Sequence, residues 1–312
     1  GNKHKLILLD FYSDGWGGCV RLDAETLKNK TVIEYSNQNF ISIKLDPWND
    51  SNASKLMEEY KGQAIPLLIY LNNKGEEVDR VLGYYPPDEY LNIIQNIYNG
   101  IDTFLSLKLL YSENNKDIET TTKLAIKCAD NREPDFCRDV YSTIINSNLE
   151  FEEDVIFKAE LFFATEQLHS DNEKQLLELI EKYNGKEYIS DAYQSIIQYY
   201  MINDKTELEA EIYKQYANQF NSNPSLLNGY AWRMSEIGIN LDDALQKSNL
   251  AIDLIHENND LKSYILDTKA ELLWLLNRSK EAIDAINLAI SINPGSDYFQ
   301  EQKLKFKSSI KN

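Results

Sequence analysis

The sequence holds only three cysteines, Cys19, Cys128 and Cys137, in 312 residues. None of them forms a Cys-x-x-Cys pair, so the resolving thiol that dithiol exchange requires is missing from the usual spacing. Histidine is equally scarce: His4, His169 and His256 are scattered. None stands at metal-ligand spacing from another His or Cys, which argues against a zinc site. Gly15, Gly17 and Gly18 precede a helical pattern but lack the Lys-Ser/Thr that completes a phosphate-binding loop, and no Gly-x-Ser-x-Gly elbow is present. The acidic pairs Glu152-Glu153 and Asp242-Asp243 read as solvated helix starts. No metal and no cofactor is expected from these residues. The longest apolar runs, Leu6 to Leu9 and Pro66 to Leu71, are strand-sized, so no membrane-spanning segment is expected. Positive charge is also short, with 32 Lys and Arg against 50 Asp and Glu, a net charge of −18. A surface of that sign repels phosphate backbones and anionic membranes, which argues against nucleic acid as a partner. The simpler reading of the charge is solubility.

What is present suits two or three globular domains, since 43% of the residues are hydrophobic and 26% charged. The first residue is Gly, consistent with a tag remnant or an excised mature segment. Cys128 and Cys137 flank a turn-like stretch, Ala-Asp-Asn-Arg-Glu-Pro-Asp-Phe. A disulfide there closes a short loop, contributes about 2–3 kcal/mol in the chain-entropy model, and implies an oxidising compartment. The alternative is two ordinary buried thiols.

The first hundred residues alternate strand and helix. Lys5 to Tyr12 is an apolar strand of the kind buried on both faces. Asp10 to Cys19 then reads Asp-Phe-Tyr-Ser-Asp-Gly-Trp-Gly-Gly-Cys, a Gly-rich turn opening a helix. A Cys at such a junction meets free N–H groups and a dipole that favours a thiolate. Helix is predicted near Cys19 to Leu27 and Thr31 to Asn37, strand over Phe40 to Leu45, and helix over Asp50 to Tyr60. The segment Pro66 to Leu71, the turn Asn72-Asn73-Lys74-Gly75 and the segment Glu76 to Gly83 form a predicted hairpin. A helix follows from Pro86-Pro87 to about Asn99.

This order resembles the thioredoxin fold over about residues 3 to 99. Asp10-Phe11-Tyr12 is similar to the family's strand end, where a buried Asp assists proton transfer. Cys19 stands where the family has its second, more buried Cys. Ile65-Pro66 matches the Ile–cis-Pro that faces the redox pair, and Asn73-Lys74-Gly75 and Gly83 match later turns. Lys44 is similar to the Lys beside the buried Asp, although alignment on Asp46 places Ser42 there. Leu22 to Leu27, with Val32 and Phe40, resembles a subgroup common in exported disulfide-handling proteins. The departure is at the nucleophile. Counting from Asp10, the family's first Cys falls on Trp16, leaving Trp-Gly-Gly-Cys. Three readings of Cys19 stay open. It is a relic beside a peptide-binding surface at Trp16, Ile65 and Pro66. It supports monothiol chemistry tuned by Asp10 and Lys44. Or the site is an altered form of an active Cys-x-x-Cys.

After Gly100 strand signals stop. Helices are predicted at Ile101–Tyr111, Asp117–Cys128, Pro134–Ile145, Glu152–Gln167, Asn172–Tyr183, Tyr188–Ile202 and Lys205–Phe220. Near the end, Leu266, Ala270 and Leu273, followed by Ala282, Ile286, Ala289 and Pro294, resemble a tetratricopeptide repeat. Ala244, Ser248 and Ala251 repeat the pattern, with an insertion near Glu257 to Leu261, and Trp232 stands where that family prefers a small residue. Tyr298 to Phe306 is a capping helix. The resemblance implies a concave face that holds peptides or proteins, with clusters such as Tyr193, Tyr199, Tyr200, Tyr213 and Tyr216 either lining it or packing between helices.

The expected architecture is an α/β thioredoxin-like domain over residues 1–99 and an all-α tetratricopeptide-like helical-repeat region. That region comprises degenerate hairpins over 100–222 and clearer repeats with a cap over 223–312. The expected function is binding of a protein or peptide partner, supporting folding or assembly of exported proteins, in the periplasm or as a secreted protein, with the cytoplasm as the alternative compartment. The alternative is a thiol–disulfide oxidoreductase that works with Cys19 alone or with a partner's thiol. Oligomeric state does not follow from the sequence.

Overall fold

The computed structural model describes residues 5–309 apart from 114–115, 131 and 258. His4 lies outside the described residues, as does the side chain of His169. The chain divides into two compact units, Gly1–Phe163 and Ala164–Asn312.

The first unit begins with β1 (Leu6–Phe11), α1 (Gly17–Arg21), a π-helical turn (Leu22–Leu27), α2 (Lys30–Asn39), β2 (Phe40–Leu45) and α3 (Ser51–Glu59). It continues with β3 (Leu67–Leu71), β4 (Glu77–Leu82) and α4 (Pro87–Asn99). The strands form one sheet in the order β2-β1-β3-β4. β1 runs parallel to β2 and antiparallel to β3, and β3 pairs antiparallel with β4. Alternation sorts the central strands between two cores. Leu8, Leu68 and Tyr70 pack with Val32, Phe40, Tyr90 and Ile94 on one face. Leu9, Phe11, Leu67, Ile69 and Leu71 pack with Met57 on the other. A sheet covered on both faces explains why β1 and β3 read as unbroken apolar runs. Across the first core, the hydroxyls of Tyr70 and Tyr90 share a hydrogen bond of 2.6 Å.

The helices α5 (Phe104–Ser112), α6 (Ile118–Cys128), α7 (Pro134–Asn146) and α8 (Glu153–Gln167) follow, and α5 packs beside β4. The predicted helix from Ile101 starts three residues later. Asp102 takes a left-handed φ of 49°, and the Thr103 hydroxyl accepts the Ser106 N–H at 3.1 Å, capping α5 and leaving Ile101 exposed. Cys128 and Cys137 are joined as a disulfide across the α6–α7 turn, with their Cα atoms 5.5 Å apart.

The boundary between the units falls within α8. The second unit holds α9 (Lys174–Lys182), α10 (Ser190–Ile202), α11 (Thr206–Gln219), α12 (Pro224–Ile237) and α13 (Leu241–Asp253), then α14 (Asp260–Leu275), α15 (Ser279–Ile292) and α16 (Asp297–Ser308). Consecutive helices pack together, and α12 also packs against α14. This is the arrangement of helical repeats. The small residues Ala231, Ala244, Ser248, Ala251, Ala270 and Ala282 are all buried, which lets neighbouring helix axes approach closely. Tyr193 of α10 stacks on Tyr216 of α11 with ring centroids 5.0 Å apart, so this pair serves inter-helix packing. No helix among the described residues is long and apolar enough to cross a membrane.

Candidate functional site

The site forms where the loop after β1 meets the loop before β3. Gly15 turns the first loop with φ of +81°, a conformation that suits a residue without Cβ. Trp16 then leads into α1, and its carbonyl accepts the Val20 N–H at 2.9 Å. A Cβ on Gly18 would stand 3.2 Å from Pro66 Cδ, so glycine lets the first turn of α1 settle against Pro66. The Ile65–Pro66 bond is cis.

Trp16 and Cys19 have opposite fates on this turn. Trp16 is 59% exposed, whereas Cys19 is 3% exposed and faces the core. Burial pushes the Cys19 thiol above its ordinary value; a backbone hydrogen bond from Ser13 opposes the shift, Asp10 and Asp23 add to it, and Lys44 opposes it. The short helix therefore does not yield the low-pKa thiolate that the sequence junction suggests. Desolvation and the two carboxylates outweigh the Ser13 hydrogen bond and the Lys44 charge.

Asp10 lies opposite Lys44 in the β1–β2 register and opposite Leu68 in the β1–β3 register. It is 8% exposed. Burial raises its pKa to about 6, against the pull of Lys44 and with help from Asp23. Lys44 itself forms an ion pair with Asp23 and lies 4.2 Å from the centroid of the Tyr12 ring. Burial works against its charge, but Asp23, Asp10 and Tyr12 together hold its pKa above the ordinary lysine value. Asp10, Cys19 and Lys44 thus share one electrostatic environment, and Asp23 is its fourth member.

A second tryptophan completes the surface. Trp48 is 63% exposed in the turn after β2. Asp46 fixes that turn: its Oδ1 accepts the Trp48 and Asn49 N–H groups at 3.0 and 3.2 Å, and its Oδ2 accepts Asn49 Nδ2 at 2.8 Å. Trp16, Trp48, Ser13, Gln63, Ala64 and Ile65 line an open cavity of about 390 Å³. Trp48 and Asp23 were not singled out by sequence reasoning. The signal for Trp48 was the Asp-Pro-Trp-Asn sequence, a turn composition that presents an aromatic residue. Cys128 and Cys137 belong to the α6–α7 turn and contribute nothing to this cavity.

Residues 1–98 match the family model of the thioredoxin-like domain. The N-terminal α/β part is therefore thioredoxin-like, and a long all-helical region follows it. No curated protein matches the chain.

Proposed function

We propose that the thioredoxin-like domain is a peptide-binding module in an assembly or folding factor, and that the helical region supplies further protein-binding surface. The observation that carries this reading is the pair of exposed tryptophans, Trp16 and Trp48, lining one open cavity with Ile65, the residue before cis-Pro66. Two aromatic platforms beside a loop suit an extended segment with apolar side chains. The thiol–disulfide reading has weaker support, because the Cys19 thiol is buried and held protonated and the Cys-x-x-Cys partner is absent. The disulfide between Cys128 and Cys137 favours an oxidising compartment outside the cytoplasm.

Two measurements test the proposal. Titration with extended apolar peptides is expected to give saturable binding, weakened about tenfold by Trp16→Ala or Trp48→Ala, as for an aromatic anchor. Maleimide labelling of Cys19 is expected to be slow until the protein is denatured. Rapid labelling of the native protein at neutral pH, with peptide binding indifferent to both tryptophans, would overturn the proposal and return the monothiol reading to test by a disulfide-reduction assay with Cys19→Ser as control.

A further inference from the structure

The helical region contains a cavity of a different chemical character. About 290 Å³ of space lies between α12, α14 and α16, lined by Asn228, Trp232, Tyr264, Asp267, Thr268 and Tyr298. Asp267 is 4% exposed, and its Oδ1 is fully buried without a hydrogen-bond partner. Asn228 Oδ1 is buried and unpartnered as well. Burial raises the pKa of the carboxyl group to about 6, against the pull of Tyr298 and Lys305 and with help from Glu271. The nearby cation, Lys305, is already committed, with its Nζ 2.7 Å from each carboxylate oxygen of Glu271. A carboxylate held out of water with neither counterion nor full hydrogen bonding opposes folding. Leu or Ala at position 267 would pack between these helices without that cost.

The cavity supplies what a cation needs. Asp267 Oδ1 and Asn228 Oδ1 accept hydrogen bonds. The Thr268 hydroxyl donates to the Tyr264 carbonyl at 3.1 Å and keeps its own lone pairs free. Trp232, Tyr264 and Tyr298 add aromatic walls, which attract positive charge through their ring quadrupoles. We infer that this cavity binds the ammonium group of a lysine side chain presented by a partner polypeptide. An ammonium carries three donors and no acceptor, which matches three acceptor oxygens. Arginine fits less well. Its planar fork matches the two oxygens of one carboxylate, whereas the unpartnered acceptors here are one oxygen of Asp267 and one of Asn228. The net charge of −18 favours the same class of partner. This inference concerns the second unit and does not depend on the tryptophan groove.

The test uses the full chain and capped tripeptides, Gly-Lys-Gly, Gly-Arg-Gly and Gly-norleucine-Gly, with butylammonium as the free amine, followed by calorimetry and saturation-transfer NMR. The lysine peptide is expected to bind at least about tenfold more tightly than the norleucine and arginine peptides and than butylammonium. Asp267→Asn, which keeps shape and removes charge, is expected to abolish that preference while the melting temperature stays level or rises. Trp232→Leu, at a partly exposed position, is expected to weaken lysine binding several-fold without unfolding the chain. Equal binding of lysine and norleucine peptides, binding indifferent to both substitutions, or equal binding of butylammonium would overturn the inference. The first two outcomes would make the cavity a water-filled packing defect, and the third would make it a free-amine site.

Discussion

At the scale of single residues, two carboxyl groups stand out. Asp10 and Asp267 are both pushed to about 6, in each case chiefly by burial. Asp267 is further influenced by Tyr298, Glu271 and Lys305, and Asp10 by Lys44 and Asp23. A carboxyl whose folded pKa lies above its unfolded value stabilises the fold while protonated. That contribution is complete below about pH 4 and is lost as the pH rises through about 6. At pH 8, Asp10→Asn is therefore expected to raise unfolding free energy by about 2–3 kcal/mol. It should also remove the part of the acid stabilisation seen between about pH 4 and 6. Urea titrations of both proteins across that range check it, and identical pH profiles would contradict it. Asp10 was legible because Asp10-Phe11-Tyr12 resembles the strand end at which the thioredoxin family carries a buried Asp. Asp267 was hidden among the polar residues of a helix whose apolar positions alone were read.

At the scale of elements, the α6–α7 turn is held to β4 by an ion network that periodicity does not reveal. Arg132 is 1% exposed and pairs through Nη1 with Asp79 of β4 at 2.8 Å and through Nη2 with Asp130 at 2.6 Å. Lys127 adds a second cation to Asp79, and Arg80 donates to Glu77 at 2.7 Å and to the Tyr60 carbonyl at 2.7 Å. Asp130 and Arg132 both lie inside the loop closed by Cys128 and Cys137. The disulfide therefore limits the conformations of the turn that supplies the buried cation. Converting both cysteines to alanine is expected to cost about 2–3 kcal/mol. Arg132→Met is expected to cost about 1–3 kcal/mol, because Asp79 and Asp130 lose a buried partner while Lys127 still faces Asp79. Combined, the changes should cost less than their sum by about 1 kcal/mol or more, since each disturbs the same contact. Urea midpoints of the four proteins close that cycle, and strict additivity would show that the disulfide and the network act independently. The strands and most helices were legible from apolar spacing and from turn and helix-start residues such as Asn72-Asn73-Lys74-Gly75 and Pro86-Pro87. This network was not, because its partners are 53 residues apart in sequence, and the burial of Arg132 arises only when the helices dock on the sheet.

At the scale of the whole molecule, composition and site chemistry converge. A charge of −18 spread over the chain creates a field that draws cations toward the surface from any direction. That field acts on encounter and is screened by salt over about 10 Å at 0.1 M. The contact between an ammonium group and Asp267 is different, because the carboxylate is buried and the ions of the solvent are kept away. Encounter and residence should therefore respond differently to salt. For a lysine-bearing peptide, raising NaCl from about 20 to about 200 mM is expected to lower the association rate about tenfold. The dissociation rate should change by less than about twofold. Asp267→Asn should invert the pattern, leaving association nearly unchanged and speeding dissociation about tenfold or more, since it changes a net charge of −18 by one but removes the only carboxylate lining the cavity among the described residues. Stopped-flow measurements on both proteins separate the two rates. If salt acts mainly on dissociation in the unaltered protein, the cation is held at the exposed surface and the buried carboxylate takes no part.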